Sequence, residues 1–334
     1  MQHDTILVFE DARNFSSTVN ATYFFLKQNF KAFAKSLLFI AGPAVLLAGV
    51  LFAEMIGRMF SAADTFNEYA PTPMGMASYF SSGEFFLQIF GALIFALVGG
   101  VLTISTTYGF LIAYKRKQST HIQVNEVWTE VKKLFWTNFA NVFLYYIGLI
   151  LGALLLAIPL FLLTAVAGLI HPALSVIFAF AYYIVLIALT IYFSMVFIIT
   201  NYERTDFFTA LGRLFKLGRG KFWSIIGVGG INLYVQTIFS YFFLIPWYVY
   251  SLMVEFHTVT PVAQNGPSTA FIVFMTVFMM FYFMSNVLLY ALPLVGLAFQ
   301  YFSLVEFKES RGLLGKLKNF GEQPLATSLE HEDY

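Results

Sequence analysis

Residues 139–168 read FANVFLYYIGLILGALLLAIPLFLLTAVAG, a run without one Asp, Glu, Lys or Arg. A helix of this length extends about 45 Å, which exceeds the ~30 Å hydrocarbon core of a bilayer. The run also lacks the alternation of polar and apolar positions that a membrane β-strand needs. It therefore predicts a transmembrane α-helix.

Five similar apolar blocks surround this one, and 59% of the whole chain is hydrophobic while only 11% is charged. An ordinary soluble domain carries roughly 25% charged residues. We therefore predict an all-α polytopic transmembrane helical bundle over residues 15–305, between a polar N-terminal segment (1–14) and a C-terminal tail (306–334). Its six predicted spans are about 37–57, 85–113, 139–168, 173–200, 223–253 and 269–304, with kinks expected at Pro159, Pro246 and Pro293.

Charge predicts how the chain is threaded. All 19 Lys and Arg residues except Arg58 lie before the first span, in the linkers after the second and fourth spans, or after the sixth span. Such segments favour the cytoplasmic side of a membrane. We therefore expect a multi-pass protein of a bacterial cytoplasmic (inner) membrane with both termini in the cytoplasm. Arg58 is expected to form a surface pair with Glu54, one helical turn away.

A similar amphipathic segment precedes each odd-numbered span, at about 15–35, 122–136 and 205–219. Their apolar positions recur at helical spacing, which is typical of helices that lie in the membrane interface. The segments predict a basic face for anionic lipid headgroups or for a cytoplasmic or membrane protein partner, although they can also be simple topological anchors. The candidate basic residues are Lys132, Lys133, Arg213, Lys216, Arg219 and Lys221.

Uncharged polar residues within the spans are few. Asn232, Gln236 and Ser240 recur every fourth residue on one face of the predicted fifth span, and Asn286 lies midway along the sixth. These side chains can line a cavity for a polar solute or headgroup, or they can hydrogen-bond between helices.

Small residues predict close helix packing. Ala92, Ala96 and Gly100 follow one another every four residues in the second span, and Gly148 and Gly152 form a GxxxG pattern in the third. Such patterns allow the backbones of two membrane helices to approach each other.

Sequence signatures of catalysis are absent. The chain has no cysteine, no HExxH, no GxSxG and no phosphate-binding loop, and its five histidines are not paired at ligand spacing. The sequence thus predicts no catalytic, metal or cofactor residue and no nucleic-acid partner, and it leans against an enzyme. The segment Gly-Arg-Gly-Lys-Phe at 218–222 is interpreted as a break between a surface helix and the fifth span.

Two stretches carry a family resemblance: STVNATYFFLKQNFKAFAKSLLF (17–39) and FFTALGRLFKLGRGKFWSIIGV (207–228). In both, an amphipathic helix leads into a span. The pattern resembles a group of bacterial inner-membrane proteins similar to the membrane domain that accompanies some glycerophosphoryl diester phosphodiesterases. The resemblance implies a comparable helical bundle over about 15–305 and brings no functional residue, since the phosphodiesterase catalytic domain is not in this sequence.

Three functions fit these observations. The first is a non-enzymatic scaffold or accessory subunit that works through a basic cytoplasmic face. The alternative is a transporter or exporter of an apolar or amphiphilic solute, which needs a cavity near residues 232, 236 and 240. A lipid-acting membrane enzyme has the least support.

Overall fold

The structure, a computed structural model, describes residues 6–64, 79–249, 252 and 269–310. Within these residues the chain is α-helical, apart from turns, short connections and one 3₁₀ turn at Phe242–Leu244. The helices are α1 (Phe15–Ile40), α2 (Gly42–Asp64), α3 (Gly83–Lys117), α4 (Val124–Ile170), α5 (Pro172–Ser194), α6 (Val196–Glu203), α7 (Phe207–Gly218), α8 (Phe222–Tyr241), α9 (Thr269–Leu288) and α10 (Ala291–Glu309).

Five helical stretches are long and apolar enough to cross a membrane: Gly83–Lys117, Val124–Ile170, Pro172–Glu203, Phe222–Val249 and Val273–Glu309. A sixth is possible because α1 and α2 pass the same test together, although they are bent by 61°. The predicted class, an all-α multi-pass membrane bundle, is confirmed.

Proline explains several of the helix breaks. Pro43 has no N–H to donate to the preceding turn, and the chain bends at Ala41 so that α2 starts at Gly42 rather than at the predicted residue 37. Pro293 lies in the first turn of α10, immediately after the break that separates it from α9. Pro159 is different, because α4 remains helical on both sides of it.

The three predicted interfacial helices connect to their spans in different ways. Only α1 and α7 are separate helices, and α7 ends before Gly220, whose φ of 78° suits glycine and confirms the predicted break. The prediction of a separate helix at 122–136 is wrong, since α4 runs unbroken for 47 residues. No Gly or Pro lies between Val124 and Tyr146, so nothing in the backbone interrupts the helix there.

The core lies towards the ends of the helices that carry the basic residues, here called the basic end. At its centre is α10, in which every residue from Pro293 to Val305 is buried. The first half of α4 buries one face against this core, while almost all of 146–170 is exposed or half-exposed. The apolar surface that would face lipid is therefore concentrated in the opposite half of the bundle.

The close contact between α2 and α3 falls at a glycine that the small-residue pattern did not predict. A Cβ atom on Gly99 would lie 2.6 Å from Cγ2 of Val45 and 3.3 Å from the Val45 backbone nitrogen. Gly100, Gly148 and Gly152 instead have no heavy atom within 4 Å of such a Cβ. Among the described residues, these three glycines therefore form no close contact with another helix of the same chain, and a contact between two copies of the chain stays a prediction.

This difference gives a matched pair of variants. Gly99→Ala is expected to lower the apparent melting temperature of the detergent-solubilised protein, because the added methyl group collides with backbone as well as side chain. Gly100→Ala is expected to leave it unchanged or raise it, because alanine is the better helix former by about 0.5–1 kcal/mol. Equal melting temperatures for the two variants would contradict the α2–α3 contact.

Candidate functional site

The basic linkers meet at one end of the bundle. The backbone N–H of Arg13 donates to Ser303 Oγ (3.0 Å), which joins the N-terminal segment to α10. Lys308 Nζ donates to the carbonyl of Lys216 (2.7 Å), which joins the end of α10 to α7. Lys115, at the end of α3, contacts Glu10 of the N-terminal segment. The linkers therefore share one end, as the charge pattern predicts.

The opposite end holds a small cluster of exposed charges. Arg58 of α2 contacts Glu54 at 2.9 Å and Glu84 of α3 at 2.7 Å. The predicted Glu54–Arg58 pair is confirmed, and the second contact extends it across two helices. At such exposed sites ion pairs are screened by water and contribute little to stability.

The N-terminal segment closes the basic end with an aromatic side chain. Phe9 is buried, and its ring lies 5.6 Å from that of Tyr114 and 5.0 Å from that of Phe302. The prediction of a polar segment at 1–14 misses this anchor, because the apolar run Ile6–Phe9 is only four residues long and is flanked by polar residues, which is too short to show a helical period. Residues 1–5 lie outside the described chain.

Next to this anchor lies a group formed by Glu10, Lys115 and Tyr202. Burial alone would raise the pKa of Glu10, but the hydrogen bond and charge of Lys115 outweigh it, so this pKa is lowered. A carboxyl whose pKa is lowered on folding stabilises the folded state at neutral pH and loses that contribution as the pH falls through its folded pKa. The interaction of Glu10 with Lys115 therefore holds the docked segment most firmly at pH values above the pKa of Glu10.

Arg213 does not point outward, contrary to its prediction as a lipid- or partner-facing residue. Its guanidinium lies between two carboxylates, with Nη2 2.8 Å from Glu309 Oε2 and 3.2 Å from Glu203 Oε1. Tyr301 Oη donates to the same Glu203 oxygen at 2.7 Å. The hydrogen bond to Glu309 raises the pKa of Arg213. Arg213 thus joins α6, α7 and α10 and is only 16% exposed.

Lys133 also forms an ion pair within the protein, although its side chain is partly exposed. Glu130 of α4 is 1% exposed, and its carboxylate contacts Arg116 Nη1 at 2.5 Å and Lys133 Nζ at 3.1 Å. A carboxylate buried this deeply needs such partners, because an unpaired one would cost several kcal/mol. Lys132, one position earlier, is exposed, and its Nζ lies 5.9 Å from the centre of the Trp128 ring.

The remaining predicted cations face outward. Lys216 and Arg219 are exposed and Lys221 is half-exposed, and none of the three has an ion pair with a described residue. They stand beside exposed aromatic side chains of the same region: Phe208, Phe215, Phe222 and Trp223. Lys221 Nζ lies 4.6 Å from the centre of the Phe307 ring. Mixed exposed aromatic and basic side chains are typical of a surface at the membrane interface.

A buried amide network supports this end of the bundle. Asn138 of α4 and Asn201 of α6 exchange side-chain hydrogen bonds of 3.0 and 2.7 Å. Asn138 also donates to Ser105 Oγ of α3 (2.9 Å), and Asn141 donates to Thr200 Oγ1 (3.0 Å). The sequence analysis did not identify this network, since its members come from three helices far apart in the chain.

The predicted intramembrane polar residues do not form a single site. Gln236 Nε2 donates to Asn286 Oδ1 at 3.2 Å, which connects α8 to α9. Asn232 donates to its own helix and packs against Gly296 of α10, while Ser240 is buried without a hydrogen-bond partner among the described residues. An interhelical hydrogen bond therefore accounts for Gln236 and Asn286, and interhelical packing against Gly296 accounts for Asn232.

Those two residues also line crevices. One crevice of about 430 Å³ lies between α3 and α4, and another of about 560 Å³ lies between α5 and α8. Both are mainly apolar, and both are lined by Asn286 and Tyr290 at the break between α9 and α10. They flank the α4–α5 hairpin, whose far half is exposed and apolar.

No group of His, Asp and Glu among the described residues is arranged to hold a metal ion. No protein-family model, no curated protein and no solved structure matches this chain. The resemblance to the membrane domain that accompanies glycerophosphoryl diester phosphodiesterases therefore stays a prediction.

Arg213 offers a test of the charge arrangement. Arg213→Gln leaves Glu203 and Glu309 close together without their cation, and we expect it to destabilise the fold by about 2–4 kcal/mol at pH 8. Thermal unfolding in detergent at pH 8 measures this loss.

The matched control is Lys216→Gln, which removes an outward charge from the same helix. It should leave the melting temperature within about 2 °C of the unmodified protein, as expected for a surface substitution of under 0.5 kcal/mol. A control that is as destabilising as Arg213→Gln would contradict the inward role of Arg213.

Proposed function

We propose that this protein is a non-enzymatic membrane scaffold or accessory subunit whose basic end faces the cytoplasm and binds anionic lipid or an acidic partner. The proposal includes a bacterial inner membrane and cytoplasmic termini, because Lys- and Arg-rich segments are retained on that side. Both termini of the described chain already lie together, since Arg13 contacts Ser303. The kind of membrane and the side that this end faces are parts of the proposal.

The observation that carries the proposal is the division of the cations into two groups. The first group, here called inward cations, is paired with carboxylates of the basic end, as in Lys115–Glu10, Arg116–Glu130 and Arg213–Glu309, although the Arg116 side chain itself is exposed. Outward cations have no ion pair with any described residue, and they are Lys27, Lys31, Lys35, Lys132, Arg204, Lys216, Arg219, Lys221 and Lys308. The outer surface is therefore left with a net positive charge.

The filled basic end supports a scaffold more than a channel. Because α10 is buried from Pro293 to Val305, the centre of the bundle there is occupied by packed side chains. A scaffold needs only a rigid frame that presents its surface, and a packed core supplies such a frame.

The test compares two quadruple variants purified from gently solubilised membranes. In the neutral variant, Lys132, Lys216, Arg219 and Lys221 are each replaced by Gln, and in the charge-retaining variant Lys and Arg are exchanged at the same positions. We expect the neutral variant to recover severalfold less anionic lipid or acidic partner, since each cation near an anionic surface contributes about 1 kcal/mol. Quantitative lipid and protein mass spectrometry measures the recovery.

The charge-retaining variant should behave like the unmodified protein. If the unmodified protein enriches neither anionic lipid nor any protein over an empty-membrane control, the scaffold proposal is wrong.

Transport of an amphiphilic solute is the second candidate, and the two crevices that share Asn286 and Tyr290 favour it. Their apolar walls and few polar groups suit a hydrocarbon chain with a small polar group. In this case purified protein in liposomes should accelerate transfer of a fluorescent fatty acid between leaflets, and Asn286→Leu should abolish the acceleration. Equal transfer with and without protein would exclude this candidate for the probe used.

A further inference from the structure

A groove on the basic end lies between α1 and the turn that connects α3 to α4. Its volume is about 820 Å³. Lys27 and Lys31 of α1 form one bank, and Lys117, His121 and Gln123 form the other. None of the candidate residues chosen from the sequence belongs to it.

Of the lysines that line the groove, one is paired with a carboxylate and two have no ion pair with a described residue. Lys117 is neutralised by Glu126, with Nζ 2.8 Å from Oε1, and it also donates to the carbonyl of His121 at 2.7 Å. Glu126 is occupied further by the backbone N–H of Gln123 at 2.8 Å. Lys27 and Lys31 are exposed and have no ion pair with a described residue. Two positive charges are therefore available for an anion.

The floor of the groove is built from buried side chains. Ile122 and Asn29 are both buried, and Asn29 is only 1% exposed. Asn29 Nδ2 donates to the carbonyl of Phe25 at 3.0 Å, whereas Asn29 Oδ1 has no hydrogen-bond partner among the described residues. A buried acceptor without a partner is unfavourable, so a ligand with a hydroxyl group beside its anion would suit this floor.

Aromatic side chains mark the depth of the groove in the membrane. Phe30 lines it and is 67% exposed, although its neighbours Asn29 and Lys31 are polar. Phe24 and Phe39 are exposed on the same helix. Exposed aromatic rings next to lysines indicate the boundary between headgroups and acyl chains.

We propose that this groove binds the phosphodiester headgroup of one anionic glycerophospholipid. Lys27 and Lys31 donate to the phosphate oxygens, the polar floor lies beneath the headgroup hydroxyls, and Phe30 contacts an acyl chain. The inference rests on the proposed function in that the basic end must face an anionic leaflet. It adds a discrete site for one lipid, distinct from the diffuse attraction of the outward cations.

The experiment uses the full-length protein in a mild nonionic detergent, titrated with phosphatidylglycerol or phosphatidylcholine and followed by native mass spectrometry. One phosphatidylglycerol should bind well below the concentration that adds the next. Lys27→Gln combined with Lys31→Gln should weaken this first binding about tenfold or more, at roughly 1 kcal/mol for each lysine. Replacing both lysines by Arg should restore most of the affinity.

Lys35→Gln is the matched control. It removes the same charge from the same exposed face of α1, one turn beyond Lys31 and outside the groove. We expect less than about a twofold change, because a single exposed charge outside the site contributes only long-range attraction. All variants should keep the melting temperature of the unmodified protein, since the three lysines are exposed.

The outcomes separate the two proposals. Equal losses for Lys35→Gln and for the double variant would overturn the groove and leave the basic scaffold intact. No preference for phosphatidylglycerol in any variant would overturn the groove and the binding of anionic lipid by the basic end, and would leave only an acidic protein partner for the scaffold proposal. If millimolar inorganic phosphate displaces the first lipid completely, the ligand is free phosphate rather than a headgroup, and the lipid assignment is wrong.

Discussion

The burial of α10 on all sides is the constraint on which the rest of the structure depends. A helix surrounded by protein must have its polar side chains bonded by its neighbours, since a low-dielectric interior penalises every polar group without a partner. Ser303 is bonded by the N-terminal segment, Gln300 by Ser224 and Tyr301 by Glu203. Three separate parts of the chain are thereby fixed to one helix. The positions of the N-terminal segment, α6 and α8 around the basic end follow from these attachments.

The basic end contains two kinds of cation: those paired with carboxylates, which stabilise the fold, and those without an ion pair among the described residues, which remain available to bind an anion. Several carboxylates of this end have a cation within 4 Å, as Glu130 has Arg116. Lys27, Lys31 and Lys35 of α1 and Lys216 of α7 instead stay at the surface, on helices that also carry exposed aromatic rings. Removing an inward cation should therefore destabilise the fold, whereas removing an outward one should change only the charge of the surface. The sequence alone does not distinguish the two kinds.

The class of the fold could be predicted from the sequence because it depends on long apolar runs, such as 139–168, that satisfy their own backbone hydrogen bonds. The break at 218–222 could be predicted as well, since Gly220 adopts a backbone conformation that favours glycine. The continuity of α4 could not be predicted. The amphipathic pattern of 122–136 and the apolar run of 139–168 suggested two helices, but Asn138 between them is helical and its side chain is bonded by Asn201 and Ser105.

The candidate sites were less predictable because they depend on contacts between helices that are far apart in the sequence. Helical spacing placed Arg213 on the polar face of α7, yet only the arrival of α6 and α10 decides that this face lies against Glu203 and Glu309. Likewise, Gly99 and Gly100 differ only in which of them lies against Val45. The groove beside Lys27 and Lys31 is formed by residues about 90 positions apart, and no local pattern joins them.

The docking of Phe9 has a consequence for how the protein is made. Its binding pocket includes Phe299 and Phe302, and Arg13 contacts a residue 290 positions later in the chain. The segment around Phe9 therefore has no complete place to bind until α10 has been synthesised, so this part of the basic end can form only after about 290 further residues have been added to the chain.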